Sequence, residues 1–191
     1  MRNPFKDDIS FEIIGNEIFS IKNFLDKDLF ENIYNKIIFF TEEEWNSVDN
    51  KLFAGRLSPS QPEDLIYKYL REIISNEYGI FPAYRFNRMV KGQSHGLHSD
   101  NHDFIDNRKK SEQYIDGEPY RVARDSKWGL IIYFNEFVGG SLEYPTQGLE
   151  YHPSPNELII HSSEENCQHA VKTLLSDVRD RKSTRLNSSH T

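Results

Sequence analysis

The sequence predicts a mainly β chain with N-terminal helices, its strands wound as a jelly roll, that is, a double-stranded β-helix. Three observations lead there. Residues 1–82 carry two stretches of helical periodicity. From Ala83 onward the chain breaks into short β-type runs separated by Gly, Pro and Asn turns. Those runs recur at about 8–12 residues, the spacing of sandwiches and barrels. No internal repeat or low-complexity linker interrupts the 191 residues, a length suited to one domain with a proper core.

The elements follow in order. FEIIGNEIFSIKNFL reads as strand, tight turn at Gly15-Asn16, strand. A helix is predicted from Lys27 to Thr41, because Leu29, Ile33, Ile37 and Ile38 recur at helical spacing and Asp26 can cap its start. A polar loop runs from Asn46 to Pro62. A second helix is predicted over Glu63–Tyr78, with Leu65, Tyr69 and Ile73 on one side and Pro62 suited to its start. Strands are predicted at Tyr84–Val90, Gly96–Asp100, Tyr120–Ala123, Trp128–Phe134, Ser141–Tyr144, Glu157–His161 and Ala170–Leu174. The charge-rich stretch Asn101–Glu118 reads as a long loop or lid, and NEFVGG and PSPN read as turns.

Composition excludes several classes. The longest apolar runs, such as GLIIYF, are too short to span a membrane. MRNPFKDDISFE has no apolar signal region, and a single cysteine, Cys167, fits a reducing compartment, so a cytoplasmic location is expected. A formal charge of −7 argues against nucleic acid as the main partner.

The chemistry rests on three residues. His98 and Asp100 stand two apart in GLHSDN, and His169 follows in NCQHAVK. Two histidines and one carboxylate hold Fe(II) on one face of an octahedron and leave three positions open. On a strand, residues i and i+2 share a face, so His98 and Asp100 reach one ion while Ser99 points away. The distal histidine is expected from another strand.

In sequence order GQSHGLHSDN, WGLIIYFNEFVGGSLEYP and NELIIHSSEENCQHAVKTLLSDVR carry a family resemblance. Together they resemble the iron(II)- and 2-oxoglutarate-dependent oxygenases, most closely the prolyl 4-hydroxylase-like branch. The shared parts are His98-x-Asp100, Tyr133 to Gly140, Leu158 to His161, His169-x-Val171 and a basic residue ten positions after His169, Arg179. The resemblance implies His98, Asp100 and His169 as Fe(II) ligands. It also implies that Arg179 pairs with the distal carboxylate of 2-oxoglutarate, as a planar guanidinium does bidentately. The implied reaction oxidatively decarboxylates the co-substrate to succinate and CO2 and hydroxylates a C–H bond. The substrate is expected to be a prolyl or other residue of a protein, or a small molecule, with ascorbate as a possible auxiliary reductant. Many relatives carry a tyrosine nine positions before the first histidine; here Met89 stands there, leaving Tyr84 or Tyr133 to supply a hydroxyl to the co-substrate.

Other readings compete. His95, His98 and His102 form a zinc-like cluster, but without the cysteines or helical H-x3-5-H of strong zinc sites. His152 and His161 read as packing residues, His161 standing where relatives carry an aromatic. Cys167 reads as a small buried apolar residue and Trp128 as core. The rival functions are a non-catalytic jelly-roll binding module and a cupin-like metalloenzyme that does not use 2-oxoglutarate.

The chain thus divides into a support region (1–82), the β-helix core (83–179) and a tail (180–191). Asp180–His190 matches, residue for residue, the translation of a common sequencing-library adapter. This tail is expected to be non-native and to take no specific packing, which would leave a sheet edge unpaired.

Overall fold

Strand β1 (Glu12–Gly15) turns back into β2 (Ile18–Ile21). The turn is Asn16-Glu17, one residue later than predicted, with Glu17 in the left-handed region at φ 57°. Arg2 holds it there: Nε and Nη2 donate to the two Glu17 carboxylate oxygens at 2.8 and 2.9 Å. The guanidinium also lies 5.9 Å from the centre of the Trp128 ring. This computed structural model describes residues 2–39, 41, 53–56, 64–75, 84–100, 113–115, 118–120, 127–176 and 183–189.

Hydrogen bonds from Arg2 lower the Glu17 carboxyl to about 2 from its ordinary 4.5, against a burial penalty that acts the other way. A carboxyl depressed by folding stabilises the fold above its unfolded pKa, and that stability is lost as pH falls through the folded value. Glu17→Gln should therefore flatten the loss of stability between pH 4.5 and 2, as read by thermal melts across that window.

Two helices cover one face of the large sheet. Helix α1 (Lys27–Ile38) buries Ile33 and Ile37, and α2 (Asp64–Ile73) buries Ile66 and Leu70. Both are shorter than predicted. Asp26 does not cap α1 through its side chain; its carboxylate accepts the Tyr69 hydroxyl and so ties α1 to α2.

The remaining strands are β3 (Phe53–Arg56), β4 (Tyr84–Met89), β5 (His95–His98), β6 (Gln113–Ile115), β7 (Glu118–Tyr120), β8 (Trp128–Tyr133) and β9 (Leu142–Tyr144). After these come β10 (Leu149–Tyr151), β11 (Glu157–Ser162), β12 (His169–Val171) and β13 (Ser183–Ser189). One antiparallel sheet runs β1-β2-β11-β8-β13-β4-β3 and faces a second, β10-β9-β12-β5. The chain crosses between these two sheets after β4, β8, β10, β11 and β12, and returns from β5 to β8 by way of β6 and β7.

Strands β8 and β11 are buried on both faces, which explains their unbroken apolar runs. Trp128, Leu130, Ile132, Leu158 and Ile160 pack toward the helices. Ile131, Tyr133 and Ile159 pack toward Leu142, Tyr144 and Val171 of the second sheet. No helix among the described residues is long and apolar enough to cross a membrane.

Several expectations are corrected. Strand β3 lies inside the segment read as a polar loop, and β10 was not predicted. Within the stretch read as loop or lid, Gln113–Ile115 pairs with Glu118–Tyr120, so Tyr120 ends a hairpin strand; residues 101–112 and 121–123 lie outside the described residues. The expectation of an unpacked tail also fails at the level of backbone. Ser183–Ser189 pairs with β8 on one side and β4 on the other, closing the edge expected to stay open. The ladder uses main-chain N–H and C=O groups, so a sequence without apolar alternation can fill the slot.

Candidate metal centre

Strands β5 and β12 pair antiparallel with His98 directly opposite His169. Directly opposed residues project to the same face, so the pairing alone puts the two imidazoles together, with ring centroids 4.3 Å apart. Asp100 arrives differently from the expectation. β5 ends at His98, and Asp100 sits in the turn just beyond it. Single ligand atoms of His98, Asp100 and His169 all lie within 4.8 Å of one another, the one such group among the described residues that could hold a metal ion.

Each histidine is aimed by its backbone neighbourhood. His98 Nδ1 lies 2.8 Å from the Gly96 carbonyl oxygen. His169 Nδ1 lies 3.2 Å from that of Cys167, at the end of a short 3-10 turn (Glu165–Cys167) before β12. A carbonyl accepts, so Nδ1 carries the proton and Nε2 presents a lone pair, the arrangement that orients metal-binding histidines.

Asp100 is held by a residue that the sequence reading left in the packing. His161 Nε2 lies 2.9 Å from Asp100 Oδ2, and the His161 ring is fully buried. On its other side His161 Nδ1 meets the buried Tyr144 hydroxyl at 2.9 Å. Burial pushes the Asp100 carboxyl up, the His161 hydrogen bond pulls it down, and the group lies below the ordinary carboxylate range. Asp100 therefore stays ionised.

Gly129 of β8 is the register partner of His161. A Cβ on Gly129 would stand 1.8 Å from Asp100 Oδ2 and 2.5 Å from His161 Nε2. A glycine inside an otherwise apolar strand was the available signal of a close approach there.

The other candidates fall elsewhere. Tyr133 is buried between the sheets on the face that also carries Gly129. Tyr84 begins β4, whose Met89 is buried. Arg179 and His102 lie outside the described residues. The His95 ring lies 4.2 Å from that of His98, so of the zinc-like trio these two stand together. His152 is exposed, its ring 4.7 Å from that of Phe137 with the planes tilted by 46°. Cys167 is buried, and burial pushes its thiol up to about 11, which makes it inert.

The donor set suits non-haem Fe(II): two imidazoles and one carboxylate whose ligand atoms converge within 4.8 Å of one another. Comparison with solved structures places the fold in the same company. A viral collagen prolyl hydroxylase from Paramecium Bursaria Chlorella virus-1, solved as its 2OG complex, superposes with TM-score 0.59 at 15% identity, over 92% of this chain and 96% of that one. A Pseudomonas putida prolyl-4-hydroxylase gives 0.57 at 15% identity, over 91% of each chain. An oxidoreductase of the 2OG-Fe(II) oxygenase family from Burkholderia pseudomallei gives 0.61 at 15% identity, over 92% and 84%. No protein-family model matches the sequence, and no curated protein matches it. The chain thus has the fold of the 2-oxoglutarate- and Fe(II)-dependent oxygenases and carries a His-Asp-His cluster.

Proposed function

We propose that this chain is an Fe(II)- and 2-oxoglutarate-dependent dioxygenase that hydroxylates a C–H bond, built on a double-stranded β-helix. The observation that carries the reading is the convergence of His98, Asp100 and His169 within 4.8 Å, with both histidines presenting Nε2. In this reading those three side chains hold Fe(II), and the positions they leave open admit the co-substrate and O2. When bound, Fe(II) and 2-oxoglutarate supply O2 activation coupled to decarboxylation, yielding succinate, CO2 and a hydroxylated carbon.

The protein's part is to hold and orient. Ionised Asp100 contributes the negative charge. Arg179 pairs with the far carboxylate of 2-oxoglutarate, and the Tyr133 hydroxyl is a second contact for it. Ascorbate would serve as an auxiliary reductant. The substrate is a prolyl or other residue of a protein; the support is that two of the structural neighbours are prolyl hydroxylases. The protein acts in the cytoplasm on neither nucleic acid nor membrane.

One observation favours a second reading, a cupin-like metalloenzyme without 2-oxoglutarate: His161 brings a third imidazole to the centre, its ring 4.2 Å from that of His169. The test is succinate formation, followed by NMR, with Fe(II), 2-oxoglutarate, O2 and a proline-rich peptide. Succinate above the peptide-free level, abolished in His169→Ala, is the expected result. Metal binding without succinate under any condition would favour the second reading.

A further inference from the structure

We propose that His161 is the positioning residue of this centre: held by Tyr144, it engages Asp100 Oδ2 and so fixes the carboxylate with Oδ1 toward His98. The inference rests on the metal-site reading above.

A fully buried imidazole needs partners for both ring nitrogens, and His161 has one for each. A carboxylate oxygen accepts, so His161 Nε2 donates to Asp100 Oδ2. A neutral imidazole that donates at Nε2 accepts at Nδ1, and the Tyr144 hydroxyl is the donor there. The chain Tyr144 to His161 to Asp100 therefore runs in one direction, fixes one tautomer and engages one carboxylate oxygen. The other oxygen, Oδ1, faces His98 Nε2 at 3.9 Å.

Three strands are shaped around this contact. β11 supplies His161, β9 supplies Tyr144, and β8 supplies the bare backbone of Gly129 that leaves room for both polar groups. Packing alone does not call for a histidine here. The flanking inward residue Ile159 is apolar, and an aromatic ring would fill the volume without any hydrogen bond. The ring also lies against His169, so one residue braces two of the three ligands.

The test uses the full chain with Co(II) as the probe, reading affinity by titration and geometry from the visible d–d spectrum, with a thermal melt alongside. His161→Phe keeps a ring and loses both hydrogen bonds; it should lose about 10–100-fold in Co(II) affinity and change the spectrum. His161→Gln, which keeps an N–H donor, should restore most of the affinity. Tyr144→Phe removes one buried oxygen and should fall between the two. Wild-type affinity and spectrum in folded His161→Phe would overturn the proposal. If His161→Phe does not fold, the same wild-type behaviour in Tyr144→Phe overturns it. Failure of the unaltered chain to bind Co(II) would overturn the metal-site reading itself, a result distinct from the others.

Discussion

Gly129→Ala should cost this protein its metal site while leaving it folded. The added Cβ would stand 1.8 Å from Asp100 Oδ2, well inside any permitted contact. The backbone of β8 cannot yield, because it is bonded to β11 and β13 on its two sides. The carboxylate must therefore rotate away, breaking its bond to His161 and leaving His98 and His169 without their anionic partner. Overpacking of this kind costs about 1–3 kcal/mol of stability, so the fold should persist at reduced melting temperature. Metal affinity should fall by about 100-fold or more, at the upper end of the loss seen when a ligand's supporting contact is removed. Isothermal titration with Fe(II) under anaerobic conditions checks it. Wild-type affinity in the variant would mean that Asp100 Oδ2 is not held where the structure puts it.

The largest effect on stability should come from Phe134→Ala. Phe134 follows β8 directly, is 2% exposed, and stacks on Phe30 of α1 with ring centroids 5.5 Å apart and planes 4° from parallel. It joins the helical layer to the sheet, beside Ile33, Ile132 and Leu158 in one apolar cluster. Truncating a buried Phe to Ala leaves a cavity and costs about 3–5 kcal/mol, a large share of the 5–15 kcal/mol that holds a typical domain folded. Urea denaturation followed by tryptophan fluorescence reads the change. A midpoint unmoved from wild type would show that α1 is not packed on the sheet through this ring.

Much of the architecture was legible because its signals are periodic. β8 and β11 announce themselves as apolar runs, and the spacing of Ile33 and Ile37 marks α1. The candidate ligands were legible because a metal demands particular side chains. What pairs them is less local. The i, i+2 argument for His98 and Asp100 assumes a continuing strand, whereas β5 stops at His98 and the turn brings Asp100 round. His161 was read as packing, because one sequence cannot say that an inward position of β11 in one sheet faces the end of β5 in the other. The sign was split between two segments: a polar residue ending LIIH and a glycine inside WGLIIY, brought into register only by the sheet. Strand β3, in a segment of polar and turn-forming residues, and β13 were hidden for another reason. They join the sheet through backbone hydrogen bonds, which leave no mark in side-chain pattern.

The most direct measurement is an anaerobic titration of the full chain with Fe(II) and 2-oxoglutarate together, watched for the weak visible charge-transfer band of the chelate. The band should appear only when both are present, vanish in His98→Ala and weaken in Arg179→Ala. A folded chain that binds Fe(II) yet gives no band at saturating 2-oxoglutarate would contradict the assignment and leave a metal centre of some other use.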